Sequence, residues 1–205
     1  MPSPADILKT LSATSNDWTS LAFLWHILLG LTIAAIVLGW RPSQKKGATA
    51  LVLPLLSVGG LAWSRGNPFN AVVFLLFAVL LAVLGSRLPS VRVTPAPVWA
   101  SVIGALMIGF GWVYPHFLED GSWLKYLYAA PAGLIPCPTL SFMVGFTLLA
   151  RGFSSRAFSL SLGILGVFYG AFGAFRLGVT IDVVLLAASV ILMAMALTSI
   201  PAASK

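Results

Sequence analysis

Charged residues are scarce in this sequence, and their scarcity excludes a soluble globular protein. Only 8% of the 205 residues are charged and 59% are hydrophobic, whereas a soluble domain carries roughly 25% charged residues. So little charge cannot cover a globular surface, and so many apolar residues exclude a disordered chain. The composition therefore predicts an integral membrane protein in contact with the lipid bilayer.

Cysteine and histidine are almost absent, with one and two residues respectively. A single cysteine excludes an intramolecular disulfide and a Cys-x-x-Cys redox pair. The sequence also lacks a Walker loop, a His-Glu-x-x-His pair and a Gly-x-Ser-x-Gly element. The net charge of +7 does not indicate nucleic-acid binding, because the basic residues are scattered over short loops. Catalysis is thus less well supported than transport or a scaffold role, and no cofactor is identified.

Long apolar runs predict an all-α bundle of about seven transmembrane helices, in a single domain spanning residues 1–205. The runs lie at 21–40, 48–63, 69–85, 97–114, 134–150, 157–175 and 181–200. Several are close to the roughly 20 residues that cross a bilayer. Basic residues follow the first run instead of preceding it, so we interpret that run as a retained helix and not as a secretory signal.

The run at 48–63 is the weakest of the seven, because Pro54 and the pair Gly59-Gly60 interrupt it. Between the fourth and fifth runs, residues 115–133 include Trp123, Tyr126 and Tyr128. Tryptophan and tyrosine are enriched where a membrane meets water, so this segment is predicted to lie along the outer surface.

The distribution of charge predicts the orientation of the seven helices. With the N-terminus outside, the cytoplasmic segments hold eight basic residues and no acid: Arg41, Lys45, Lys46, Arg87, Arg92, Arg151, Arg156 and Lys205. The outer segments then hold Lys9, Arg65, Lys125 and Arg176 together with all five acids, Asp6, Asp17, Glu119, Asp120 and Asp182. Cytoplasmic loops are enriched in Lys and Arg. We therefore expect an outer N-terminus and a cytoplasmic C-terminus in a bacterial inner membrane.

The only cysteine stands between two prolines, in the motif Pro136-Cys137-Pro138-Thr139. Each proline lacks an N–H and restricts the residue before it, so a regular helix is not expected to pass through the motif undistorted. Pro138 suits the first turn of a following helix, where its missing N–H would have no partner. The Cys137 thiol is therefore predicted at a helix N-terminus near the outer membrane surface.

Four polar residues are candidates for a site in the outer half of the protein. An ionisable residue inside a membrane span, as His26 is, is a functional-site hypothesis by default. Cys137, His26 and His116 could together bind a soft metal. The structural alternative is that His26 hydrogen-bonds a neighbouring helix while Cys137 packs as a small hydrophobe. Asp182 and Arg176 flank a short turn and suggest an ion pair or a helix cap, whereas a proton-coupled role would require Asp182 to face a cavity.

A row of glycines marks the sixth run. Gly163, Gly166, Gly170 and Gly173 follow one another at offsets of three, four and three and so share one helical face. Small residues in such a row let a second helix approach closely, since packing drives helix association in lipid. The row predicts a helix–helix seam, with an internal helix or a second protomer as its partner.

Several of these elements together resemble an uncharacterised family of small bacterial multi-pass membrane proteins. The resemblance rests on Tyr114-Pro-His116, on the 133–139 stretch with Phe142 and Gly145, and on Leu177-Gly-Val-x-x-Asp182. It covers roughly the C-terminal half of the chain. It implies a polytopic membrane fold and carries no established activity.

Three functions are compatible with the sequence. The first is a small-solute or ion transporter with an outward-facing Pro-Cys-Pro site, because interrupted helices commonly line membrane binding sites. The second is a structural or assembly subunit of a homo-oligomer or a larger membrane complex. The third is a membrane-embedded metal or redox enzyme, for which Cys137 and the two histidines are the sole indication.

Overall fold

The computed structural model describes residues 3–119 and 122–198, and within these ranges the fold is all-α with no strand. Predictions that concern Asp120, residues 199–200 and Lys205 lie outside the described residues. The α-helices are α1 (Pro4–Asp17), α2 (Thr19–Val37), α3 (Gln44–Ala50), α4 (Val52–Ser64), α5 (Pro68–Ser86), α6 (Val98–Val113), α7 (Tyr126–Ala129), α8 (Pro136–Leu149), α9 (Arg156–Ala171) and α10 (Val183–Thr198).

Five of the described helical segments are long and apolar enough to cross a membrane. They are Thr19–Val37, Gln44–Ser64, Pro68–Ser86, Arg156–Arg176 and Thr180–Thr198. Two shorter apolar helices, Val98–Val113 and Pro136–Leu149, occupy the places of the predicted fourth and fifth spans. The predicted all-α fold is therefore confirmed and the five apolar helices agree with the predicted membrane class, while the count of seven and the orientation stay predictions.

The loops form two groups at opposite ends of the bundle, and hydrogen bonds join the loops within each group. At one end, the loop after α2 joins the loop after α5, where the Gln44 N–H donates to the Val91 carbonyl at 2.8 Å and the Val93 N–H to the Pro42 carbonyl at 2.9 Å. We call this the basic end; its basic residues are Arg41, Lys45, Lys46, Arg87, Arg92, Arg151 and Arg156. The acidic end comprises α1, residues 114–119 and residues 176–182.

The apolar run at 48–63 is divided between two helices, and Pro54 explains where the division falls. Pro54 has no N–H to donate to the Ala50 carbonyl four residues earlier, so that helical hydrogen bond cannot form. The structure accordingly ends α3 at Ala50 and begins α4 at Val52. Together the two helices form one apolar segment, Gln44–Ser64, of 21 residues.

The N-terminal polar segment, which we did not predict to be regular, is the helix α1. Ser3 and Asp6 form a reciprocal capping box, and Pro4 occupies the first turn. Such a box satisfies two backbone donors that the first turn of a helix leaves free. At the other end of α1, Arg65 and Asp17 form an ion pair at 2.7 Å. These contacts fix α1 across the acidic end.

Helix α8 is the central helix of the bundle. Eleven of its 14 residues are buried, and it packs on both α6 and α9. Close approach to α6 depends on Gly104 and Gly145, since a Cβ on either would lie within 2.7 Å of the other's carbonyl oxygen. The helix that begins with the Pro-Cys-Pro motif is thus held from several sides, which fixes the position of its first turn.

Candidate functional site

The Pro-Cys-Pro motif forms the first turn of α8. Ile135 is the N-cap with an extended backbone, and Pro136 is the first helical residue. Both prolines therefore lie where an N–H would have no intrahelical partner. The structure agrees with the predicted helix start and places it at Pro136 itself, two residues after the predicted beginning of the run.

Thr139 connects this first turn to the preceding loop. Its hydroxyl donates to the Ile135 carbonyl at 2.6 Å and accepts from the Gly133 N–H at 2.9 Å. Thr139 is fully buried, so both bonds are shielded from competing water. Its role is to hold the loop and the helix start in one arrangement.

Gly133 is also fixed from the other side. Its backbone has φ of +77°, which favours glycine, and the Trp25 indole lies against its Cα face. The Ser57 hydroxyl donates to the Gly133 carbonyl at 2.6 Å and accepts from the Trp25 Nε1–H at 3.1 Å. Helices α2 and α4 thereby position the loop that leads into the motif.

Asp182 is buried at the acidic end, with 1% of its surface exposed. The Tyr114 hydroxyl donates to its Oδ1 at 2.6 Å, and Tyr114 is itself fully buried. The other carboxylate oxygen lies against Gly173, where a Cβ would collide with it. The last glycine of the predicted row therefore makes room for a carboxyl group.

The expected ion pair between Arg176 and Asp182 is not formed. Among the described residues, the ion pair within 4.0 Å is Arg65–Asp17, and the Arg176 side chain is exposed. The reason is local geometry: Phe172–Arg176 is a π-helical segment and Thr180–Asp182 a 3₁₀ turn. The turn directs Asp182 inward to Tyr114, and Arg176 stays at the surface.

Cys137 and Asp182 line one cavity of about 380 Å³, which we call the Cys137 cavity. Its walls are mostly apolar, and α1 covers it with Pro4, Ile7 and Leu11. Cys137 is partly exposed, and its Sγ lies 3.9 Å from the Tyr169 carbonyl. The condition that the sequence left open for Asp182, that it face a cavity, is met.

A second buried polar pair lines the same cavity. The Tyr169 hydroxyl donates to the Asn70 Oδ1 at 2.9 Å, and both side chains are buried. A hydrogen-bond partner orients the Asn70 amide, so its remaining donors face a defined direction. The Cys137 cavity thus combines a carboxyl, an amide and a thiol, with Arg176 at its edge.

The two histidines lie outside this arrangement. The His26 Nδ1 is 2.8 Å from the Ala22 carbonyl and its Nε2 is 3.0 Å from the Trp112 carbonyl. A metal ligand needs a ring nitrogen whose lone pair is free to face the metal, and both His26 nitrogens face backbone oxygens. The contacts are those of the structural alternative, in which His26 hydrogen-bonds a neighbouring helix.

His116 packs its ring against Phe117 with centroids 4.3 Å apart. Burial there lowers its pKa, because an apolar environment disfavours the charged imidazolium. No group of three His, Cys, Asp or Glu side chains within residues 3–119 and 122–198 could hold a metal ion. The structure therefore does not bring the predicted ligands Cys137, His26 and His116 together.

The glycine row of α9 faces α10. A Cβ on Gly163 would meet Met193, on Gly166 Ser189, and on Gly170 the Leu186 backbone nitrogen at 2.6 Å. The seam lies inside the protomer, one of the two partners that the sequence left open. It brings α10 close enough to α9 for Asp182 to reach Gly173.

Three features of the site were not foreseen: the Tyr114 hydroxyl, the Asn70–Tyr169 pair and the helix α1. No family model, curated protein or solved structure matches this chain. The resemblance to a family of small bacterial membrane proteins stays a prediction. The geometry of the Cys137 cavity is therefore the main indication of what the protein does.

Proposed function

We propose that this membrane protein is a small-solute transporter whose substrate site is the Cys137 cavity. One observation carries the proposal: Asp182, buried and without a cationic partner among the described residues, lines a cavity of about 380 Å³. An ionisable residue at membrane depth is costly, and such residues mark substrate pathways and proton relays.

The backbone around the cavity supports this proposal. Irregular backbone is tolerated at membrane depth only where protein or water satisfies its polar groups. Three irregular elements line the cavity: the Pro136 helix start, the π-helical segment Phe172–Arg176 and the 3₁₀ turn Thr180–Asp182. Discontinuous helices of this kind form the binding sites of many secondary transporters.

The lining indicates what class of solute would bind. Apolar walls favour a small organic molecule, and the Asp182 carboxyl favours a hydrogen-bond donor or a positive charge on it. The side chains that hydrogen-bond Asp182, the Tyr114 hydroxyl and the Cys137 thiol, carry no positive charge. Asp182 is therefore suited either to pair with a cationic solute or to carry a proton with the solute.

Transport by purified protein in lipid vesicles tests the proposal. Wild type, Asp182→Asn and the matched control Asp17→Asn would be reconstituted with an entrapped pH dye, and small amines, amino acids and alkali cations added outside. We expect at least one class to change the internal pH with wild type and Asp17→Asn but not with Asp182→Asn. Equal responses in all three proteins would contradict a role for Asp182, and stoichiometric co-purification with other subunits without flux would favour the assembly-subunit alternative.

A further inference from the structure

A second cavity of about 410 Å³ lies towards the basic end, between α2 and the rest of the bundle. We call it the Trp40 groove. Residues of α2 from Trp25 onward and Trp40, just after α2, line one side of it. Side chains of α3, α4 and α8, which include Ala50 and Phe146, line the other side. The groove shares none of its lining residues with the Cys137 cavity.

The groove exists because α2 is packed at only one of its ends. The three buried residues of α2 are Ala22, His26 and Leu29, all in its first two thirds. Beyond them no residue of α2 is buried: Ile33 is still partly buried against the core, whereas Val37 and Leu38 keep 79% and 87% of their surface. The last turns of α2 thus stand away from the bundle and leave an apolar space open on one side.

Two basic side chains lie at the mouth of this space. Arg41 and Lys46 line the groove at the basic end, and both are exposed. Neither forms an ion pair with an acid among the described residues. An apolar groove with two unneutralised cations at one end is complementary to a molecule with an anionic head and a hydrocarbon tail.

The dimensions of the groove suit a lipid chain. The helical stretch of α2 beside the groove runs from Trp25 to Val37, which corresponds to roughly 18 Å at 1.5 Å per residue. One leaflet of the hydrocarbon core is roughly 15 Å deep. A chain that enters at Arg41 and Lys46 could therefore lie along α2 over the full depth of one leaflet.

We infer that the Trp40 groove binds one anionic phospholipid, with its phosphate between Arg41 and Lys46 and an acyl chain along α2. The lipid fills the space between α2 and the bundle, and its headgroup neutralises the two cations. The inference is independent of the transporter proposal, because the groove and the Cys137 cavity share no lining residue.

Competition between two lipids tests the headgroup contact. Protein in mild detergent would be supplied with phosphatidylglycerol and phosphatidylcholine, and bound lipid counted by native mass spectrometry. We expect one retained phosphatidylglycerol per chain. Arg41→Gln with Lys46→Gln should weaken its binding by roughly 20- to 30-fold, since each basic residue near a membrane surface contributes about 1 kcal/mol.

The matched control removes the same charge elsewhere at the basic end. Arg87→Gln with Arg92→Gln changes two exposed residues that do not line the groove, and it should leave the retained lipid unchanged. An equal loss in both double variants would show general surface attraction and overturn the site. Equal retention of phosphatidylcholine by wild type would also overturn the assignment of the headgroup.

A second variant tests the place of the acyl chain. Ala50→Trp would fill the groove and should expel the lipid, whereas Ala34→Trp, on an exposed part of α2 outside the groove, should not. Loss of lipid in both variants or in neither would contradict the inferred position. Should Ala50→Trp convert a dimer into a monomer without changing the retained lipid, the occupant would be a second copy of the chain and the inference would fail.

Discussion

The Cys137 cavity and the Trp40 groove are similar in size, about 380 and 410 Å³, but they differ in how their polar groups are held. In the Cys137 cavity, Asp182 and Asn70 are buried and each is oriented by a tyrosine hydroxyl. At the Trp40 groove, the charged groups are two exposed cations at the mouth. Buried, hydrogen-bonded polar groups suit selection of a small solute, whereas exposed cations suit a lipid headgroup.

The backbones of the two regions differ in the same way. Next to the Cys137 cavity, Gly170 allows α9 to contact the backbone of α10, and a Cβ there would lie 2.6 Å from the Leu186 nitrogen. Beside the Trp40 groove, a Cβ on Gly47 would meet only the Phe153 ring. The acidic end should therefore tolerate added volume poorly and the groove should tolerate it well.

The largest expected effect on stability comes from adding volume at the seam. Gly170→Val would push against the Leu186 backbone, which a Cβ alone would approach to 2.6 Å, and overpacking of this kind costs about 1–3 kcal/mol or more. Gly47→Ala brings a Cβ against the Phe153 side-chain ring and not against backbone, so its cost should be smaller, about 1 kcal/mol. Thermal unfolding in detergent measures both. Equal destabilisation would remove the contrast between the two regions.

The second-largest expected loss of stability comes from removing the hydrogen bond between Tyr114 and the buried Asp182 carboxylate. Tyr114→Phe removes the donor to Asp182 and leaves a buried acceptor without its partner, which costs about 1–3 kcal/mol. Tyr126→Phe is the control, because the Tyr126 hydroxyl makes a long 3.4 Å bond to the Leu118 carbonyl among the residues that the structure describes. Its cost should be under about 0.5 kcal/mol. The same unfolding assay separates them, and unchanged stability of Tyr114→Phe would show that this bond does not support the fold.

The thiol and the prolines of the motif should have separable roles. Cys137→Ser keeps the size and backbone of the turn, so we expect normal folding with altered solute transport. Pro136→Ala with Pro138→Ala keeps the thiol but frees the unfolded chain, and should lower stability by about 1 kcal/mol. Transport and unfolding measured on both proteins distinguish the roles. If Cys137→Ser behaves as wild type while the proline variant fails to fold, the motif is a structural hinge.

The smallest effect is the pH dependence of α1, which covers the Cys137 cavity. Hydrogen bonds from the Ser3 hydroxyl, and then from the Ser3 backbone, hold the pKa of Asp6 below its usual value. Because the pKa is lowered in the folded state, the stabilisation is present above pH 4 or so and is lost as pH falls through the folded pKa. A spin label at Lys9→Cys in a Cys137→Ser background should gain mobility on that acidification. The change should vanish with Asp6→Asn added.

Local chemistry made part of this site predictable. Pro136 and Pro138 identify a helix start because their missing N–H groups are tolerated only there, and four glycines at helical spacing identify a packing face. These signals need only neighbouring residues. The Asp182–Tyr114 contact joins residues 68 positions apart, and Asn70–Tyr169 joins residues 99 apart. No local pattern indicates such pairs.

The structure differs from the sequence-based prediction at two other places, and each difference has its own physical cause. The pair Arg176–Asp182 was expected from closeness in sequence, but that closeness does not fix which way a side chain points, and the π-helical segment and 3₁₀ turn separate the two. Helix α1 did have a local signal, since Ser3-x-x-Asp6 with Pro4 is a capping pattern. Ile7 and Leu11 are four residues apart and so share one face of the helix, the face that lines the Cys137 cavity.

The orientation of the two regions is open to a direct check. If the acidic end is outside, as the basic loops predict, then Lys9→Cys in a Cys137→Ser background should react with a membrane-impermeant maleimide in intact cells. Lys45→Cys, at the basic end, should react only after the membrane is opened. Both positions are exposed in the structure. The reverse labelling pattern would place the Cys137 cavity in the cytoplasmic half.

The central claim is that the Cys137 cavity admits small solutes from the acidic end, and the rate at which N-ethylmaleimide modifies Cys137 in native membranes tests it most directly. Wild type would be compared with Ile7→Trp, which fills the cavity from α1, and with Leu8→Trp, which lies on the same helix outside the lining. We expect Cys137 to react in wild type and Leu8→Trp and to react at least tenfold more slowly in Ile7→Trp, since a filled cavity excludes the reagent. A Cys137 that is inert in the folded wild type but reacts after denaturation, or rates that are equal in all three proteins, would contradict the account.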